Sequence, residues 1–296
     1  MITSAAANEA AGNDAYTNDS PSLSYRSIFN RFGMSPMHVT VHCDNYQNDA
    51  NLTTENGKAN LNIIKQADIV FFNGGDQTRH VRSWLKDNGS ANPLLEVIKE
   101  RALKDEIVCS GSSAGSMIWN QQTAGDGFSF GALYFKNSVG LAQKKVEDGG
   151  VNGTGFKDTR NGTRGLQYEY NAGKMPAFGM LDFFTDTHFN ARGRLGRLPV
   201  FLADLKVKMG VGIDENTSFY YDNGQGQVFG WRGVTIVDIT YSEIPKFNYF
   251  AIGNVTGHYL TAGDSFDFKL KKVTSNKTLI SNPYYSSYTD SSDILN

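Results

Sequence analysis

The run Glu106-Ile107-Val108-Cys109-Ser110-Gly111-Ser112-Ser113-Ala114-Gly115-Ser116-Met117-Ile118 joins a short β-prone apolar segment to a Gly-x-Ser-x-Gly turn. Residues 114–120 read as the opening of a helix, which gives the order strand, tight turn, helix that a nucleophile elbow requires. In that setting Gly111 and Gly115 leave room for a strained turn that lifts Ser113 Oγ clear of the backbone. A helix N-terminus behind Ser113 presents free N–H groups and a positive dipole end to a developing oxyanion. The bland reading is a Ser/Gly-rich connection with no chemistry. The strand before the turn and the helix after it favour catalysis.

With 296 residues, 40% of them hydrophobic, the chain is long enough to bury a full core as one large or two small domains. Its formal net charge of -2 gives no electrostatic reason to expect nucleic acid or an anionic membrane as a partner. No apolar stretch approaches the length of a membrane span, and no basic-then-apolar leader is visible at the N-terminus. Cys43 and Cys109, each at the end of an expected strand, lack metal-site spacing. Two buried thiols fit them at least as well as one disulfide. Sequons at Asn18, Asn51, Asn88, Asn152, Asn161, Asn216, Asn254 and Asn276 exceed what an Asn-, Ser- and Thr-rich chain yields by chance. They point to a secreted glycoprotein; a bacterial cytoplasmic protein with Asn-rich loops is the other reading.

The expectation is one domain over 1–296. Residues 1–24 read as loop, with Ile2 and Thr3 as the tail of a strand whose start is absent. Apolar residues at helical spacing mark a helix over 25–32, and alternation marks a strand over 37–42. A polar loop over 44–57 precedes a short helix at 61–66, and 67–72 is a continuous apolar strand halted by Asn73-Gly74-Gly75-Asp76-Gln77. Helices over 79–86 and 93–103 lead back to the elbow. Continuous apolar strands alternating with helices predict a mainly parallel sheet covered on both faces, with ligands at the carboxyl edge of its strands.

Residues 121–180 hold a long Gly- and Asn-rich insertion, with 130–135 a candidate strand, and a segment of that length suggests a lid. A strand over 181–185 runs into Asp186-Thr187-His188-Phe189, and a helix is expected from about 191 with Arg192, Arg194 and Arg197 in its first turns. Cations are disfavoured at a helix N-terminus, so three of them there suggest a bound anion, against the plainer reading of a solvated basic turn. Strands over 208–213 and 219–221 flank Asp214-Glu215. The part over 222–282 reads as antiparallel β-structure at the C-terminal end, with 283–296 a tail.

Taken together, Gly74-Gly75-Asp76-Gln77, Gly111-Ser112-Ser113-Ala114-Gly115, Asp186-Thr187-His188-Phe189 with the three arginines, and Gly212-Ile213-Asp214-Glu215-Asn216-Thr217 resemble the cyanophycinase family, serine peptidases that also include aspartyl dipeptidase. The resemblance implies a three-layer α/β sandwich of the class I glutamine-amidotransferase-like, flavodoxin-like kind. It implies cleavage of β-aspartyl amide bonds, as in a β-Asp-Arg polymer, through an acyl-enzyme. On that pattern Ser113 is the nucleophile and His188 the general base, with the N–H groups of Gly75 and Ala114 as the oxyanion hole. Gln77, Asp186, Thr187, Arg192, Arg194 and Arg197 then line the substrate pocket. No cofactor and no metal is implied. The partners are a peptide or polyaspartyl substrate, with no nucleic acid and no membrane, and a homodimer is left open.

The residues themselves agree with much of this. A serine hydroxyl needs a base, and His188, Ser113 and Gly75 all follow strand ends, so they can meet at one sheet edge. His80, on a helix just past the Gly-Gly loop, is the rival base, whereas His38, His42 and His258 read as structural. Guanidiniums suit a carboxylate-rich substrate, and Asp186 either recognises a basic group of the substrate or orients an arginine. Thr187 stands where the family usually has Gln, which tilts the reading toward other acidic peptides such as α-aspartyl dipeptides. The third catalytic member is expected soon after the elbow, with Asp126 nearest and Glu147 and Glu169 behind it. A secreted binding protein that keeps the scaffold without turnover is the non-enzymatic alternative. Scattered histidines argue against a metal centre, and the Gly-Gly loop lacks the continuation that a phosphate cradle needs.

Overall fold

The computed structural model describes residues 1–17, 24–86, 88–125, 129–135 and 175–275. The first half of the chain forms Glu9–Thr17 (α1), Tyr25–Arg31 (α2), Tyr46–Asp49 (α3), Glu55–Gln66 (α4), Ile69–Phe72 (β1), Gln77–Trp84 (α5), Pro93–Leu103 (α6) and Val108–Gly111 (β2). The starts of three helices follow from their caps: Thr54 Oγ1 accepts from Gly57 N, Asp76 Oδ1 from Thr78 N, and Asn92 Oδ1 from Leu95 N with Pro93 next in line.

β1 and β2 run parallel, with Phe72 opposite Gly111. Ile2 bridges in parallel to Val39 on one side and to Phe72 on the other, so the start of the chain lies beside β1. Two expectations fail here. The strand over 37–42 contracts to that bridge at Val39, because side chains take its backbone donors: Asn60 Oδ1 accepts from Thr40 N, and Asn45 Oδ1 from His42 N. The loop expected over 1–24 contains α1, whose first turn is tied by Ala11 N to Asn8 Oδ1 and whose Tyr16 ring stacks on His38.

The second half adds Gln122–Thr123 (β3), Ser129–Phe135 (α7), Met175–Pro176 (β4), Phe184–Thr187 (β5), Arg197–Leu205 (α8), Met209–Ile213 (β6), Thr217–Asp222 (β7), Gln225–Gly230 (β8), Gly233–Asp238 (β9), Thr256–Thr261 (β10), Asp264–Asp267 (β11) and Lys272–Ser275 (β12). α7 replaces the strand expected at 130–135, since Phe130, Leu133 and Tyr134 recur at helical rather than alternating spacing. The helix expected from about 191 begins only at Arg197, whose N–H is capped by Ser129 Oγ of α7.

β5 and β6 are parallel, β6, β9 and β10 continue antiparallel, and β7, β8, β11 and β12 form a separate antiparallel sheet. Among the described residues, parallel strand pairing is confined to β1–β2, β5–β6 and isolated bridges, so the sheet of β5, β6, β9 and β10 is mixed rather than mainly parallel. Three cores hold the layers. Ile64, Phe72, Trp84, Leu94 and Ile98 join β1 to its helices, and Phe184, Phe189, Leu198 and Phe201 seat α8 against β5. Val211, Val228, Ile236 and Phe266 fill the space between the two C-terminal sheets. Thr185 Oγ1 donates within 3.0 Å of both Ser116 O and Asn120 Oδ1, which ties β5 to the chain after β2.

Candidate active site

Ser113 stands two residues past the end of β2 and adopts a left-handed backbone, φ 49°, that L residues avoid. The turn survives because its two glycines admit backbone where a side chain would not fit. A Cβ on Gly111 would lie 2.2 Å from Gly115 O, and one on Gly115 would lie 2.1 Å from Phe72 O. Here the elbow departs from expectation: the helix foreseen over 114–120 is a single 3-10 turn, Ser113–Ser116. The turn behind Ser113 therefore offers individual N–H groups rather than a long helix dipole.

His188 follows β5, also with a left-handed φ of 49°, and its Nε2 stands 2.7 Å from Ser113 Oγ. Its Nδ1 is 2.9 Å from Glu215 Oε1. An ionised carboxylate only accepts, so the ring proton sits on Nδ1 and Nε2 is left to accept from the serine hydroxyl. The hydrogen bond to His188 holds the Glu215 carboxyl below its ordinary range, with Arg232 and Arg192 adding to the effect. The loop after β5 is pinned by Asp214, which accepts from Asn190 N, Asn190 Nδ2 and Tyr259 OH.

Glu215 is the site residue that sequence reasoning missed. It was sought close behind Ser113, but Asp126, Glu147 and Glu169 lie outside the described residues. The signal for Glu215 was present: it follows β6, the parallel neighbour of β5, at the same edge that singled out His188.

The Gly-Gly loop after β1 lies against the nucleophile, where a Cβ on Gly74 would be 3.4 Å from Ser113 Cβ. Among the described residues, neither Gly75 N–H nor Ala114 N–H has a hydrogen-bond acceptor. His80, the rival base, is fully buried and bonded to Asn73 O and Ser4 Oγ, away from Ser113.

The residues expected to line a substrate pocket divide sharply. Asp186 is 0% exposed and Arg197 1%. Asp186 accepts from Arg197 Nε at 2.7 Å, from Arg197 Nη2 at 2.6 Å and from Arg194 Nη1 at 2.9 Å. Asp186 and Arg197 are thus an internal ion cluster that shapes the loop rather than surfaces offered to a ligand, which corrects their assignment. Burial lowers Arg194 to about 10 despite its carboxylate partner. Gln77 Nε2 donates to Ala124 O and Gly125 O, so its amide nitrogen ties two segments together. Thr187 is buried, and its hydroxyl has no hydrogen-bond partner among the described residues. Arg192 alone of the three arginines is exposed, one turn past His188 and near Glu215.

A serine on a strained turn, an imidazole against it and a carboxylate on the far ring nitrogen are the apparatus of serine-type peptidases. A family model described as Peptidase family S51 matches residues 25–141. A cyanophycinase of Trichormus variabilis is 27% identical over 69% of the chain and 58% of its own length. One from Geminocystis herdmanii is 25% identical over 83% of the chain and 76% of its own length. The chain thus spans 58% of the length of the first of these relatives. A peptidase from an acI-B1 Actinobacterium shares the fold, with a TM-score of 0.53 at 16% identity, over 90% of this chain and 82% of that one. The chain is thus similar to the S51 peptidases over residues 25–141 and to cyanophycinases over most of its length.

Proposed function

We propose that this chain is a serine-type peptidase that cleaves amide bonds next to aspartyl residues through an acyl-enzyme on Ser113. The observation that carries the reading is the 2.7 Å contact between Ser113 Oγ and His188 Nε2, made by two residues that both hold strained backbones. Ser113 Oγ adds to the carbonyl carbon as its proton passes to Nε2. The N–H groups of Gly75 and Ala114 receive the oxyanion so formed. Collapse breaks the C–N bond, the amine leaves with the proton from Nε2, and water repeats the sequence to free the acid. Glu215 stays ionised and keeps the imidazole in the tautomer that accepts from serine.

Exposed Arg192 at the rim supports an acidic substrate, and β-aspartyl bonds such as β-Asp-Arg are the first choice. Thr187 supports α-aspartyl dipeptides as the second, since no amide is present there to recognise a polymer side chain. Assay of β-Asp-Arg polymer beside Asp-x dipeptides separates them. Ser113→Ala abolishes both on this reading, and wild-type turnover by that variant would reject it. The same reading includes a three-layer sandwich around the parallel strands. It also includes secretion with glycosylated sequons, which a mass shift on treatment of the native protein with a peptide N-glycosidase tests.

A further inference from the structure

His80 is a fully buried imidazole that the proposed chemistry leaves unused, yet each of its nitrogens has a partner. Nε2 is 2.9 Å from Asn73 O, and Nδ1 is 2.7 Å from Ser4 Oγ. Ser4 Oγ in turn lies 2.9 Å from Trp84 Nε1. Donor counting fixes every proton in this chain. A carbonyl only accepts, so Nε2 carries the ring hydrogen; an indole N–H only donates, so Ser4 Oγ receives it and passes its own hydrogen to Nδ1. The imidazole is neutral and in one tautomer. Burial, which pushes it down to about 4, keeps it so at neutral pH.

The carbonyl that His80 holds is the last one before Gly74-Gly75. The side chain of the same residue is also fixed, since Asn73 Oδ1 accepts from Ala5 N, while Ala5 O accepts from Asp76 N and Arg79 Nη1. A Cβ on Gly75 would lie 2.9 Å from Ala5 Cβ. Residues on both sides of the Gly-Gly turn are therefore laced to one buried frame, and the turn itself packs on Ser113. A loop that must offer an N–H to an oxyanion needs this kind of support, because misplacement by about 1 Å costs on the order of 10²-fold in rate.

We infer that His80 is a positioning residue for the oxyanion loop, acting through its Nε2–H bond to Asn73 O. The inference rests on the peptidase reading above. It also separates His80 from a base, because the ring donates to Asn73 O at the root of the Gly-Gly loop and not to the serine hydroxyl.

The test compares two neutral amides. In His80→Gln the amide nitrogen falls near the Nε2 position and keeps the donor to Asn73 O; in His80→Asn the amide reaches only the Nδ1 position and loses it. The expected result is kcat within a few-fold of wild type for His80→Gln, and a fall on the order of 10²-fold at unchanged KM for His80→Asn. Equal kcat in the two variants, or a loss confined to KM, overturns the inference. If neither variant folds, the wild-type ring is read by two-bond nitrogen–proton correlation: a hydrogen on Nε2 supports the assignment and one on Nδ1 overturns it. Labelling of wild-type Ser113 by a fluorophosphonate is the separate control. Its absence rejects the peptidase reading, whatever the ring shows.

Discussion

Arg232 Nη1 stands 3.7 Å from Glu215 Oε2, while the other oxygen of that carboxylate accepts from His188. The turn carrying Arg232 is bonded on both sides of Glu215, by Trp231 N to Asn216 O and by Asp214 N to Gly233 O. Both partners are about a third exposed, so water and salt screen the pair. Arg232→Gln should therefore lower kcat by no more than about fivefold, with KM unchanged, and high salt should erase the difference. Steady-state kinetics at low and high ionic strength measure both.

Glu215→Gln should lower kcat/KM by about 10²–10⁴-fold, since an amide no longer enforces the tautomer that leaves Nε2 free to accept. The Glu215 carboxyl lies below its ordinary value of 4.5, chiefly because of His188. Its stabilisation is then fully present above that value and is lost as the pH falls through the lowered one. Urea midpoints of wild type and variant should differ at neutral pH and converge in acid.

Asp186→Asn should destabilise the fold by roughly 3–5 kcal/mol, because two guanidiniums lose the buried carboxylate between them. Thermal unfolding reads this directly. If Asp186 instead contacted substrate, the main effect would be on KM with the melting temperature unchanged.

Burial lowers both His38 and His80 from 6.5 to about 4. The unfolded chain therefore binds protons that the native state refuses between those values. Stability is full above pH 6.5 and declines as the pH falls toward 4, with His80 alone contributing on the order of a few kcal/mol. Denaturant titrations across that interval should show the decline, and it should shrink in His80→Gln.

Both ends of this site were legible as strand termini. Gly75, Ser113 and His188 each follow an apolar run, and parallel strands bring such ends to one edge, so their meeting needed no more than the pattern. Glu215 obeys the same rule, since it follows β6 beside β5, although Asp126, Glu147 and Glu169 lie nearer to Ser113 in sequence. The helical nature of α7 is also written in the spacing of Phe130, Leu133 and Tyr134.

What the sequence alone determined was chemistry that depends on local order: a glycine-flanked serine on a turn and a histidine at a strand end. Which carboxylate serves the imidazole was decided only by the parallel pairing of β5 with β6, a tertiary contact made across the intervening helix. The same holds for the arginines. Their number and spacing were plain, but whether a guanidinium faces a ligand or a buried aspartate depends on which way its strand or turn is packed. Desolvation makes that choice: a carboxylate enclosed by the fold has to be neutralised from within, and Asp186 takes Arg194 and Arg197 to do so.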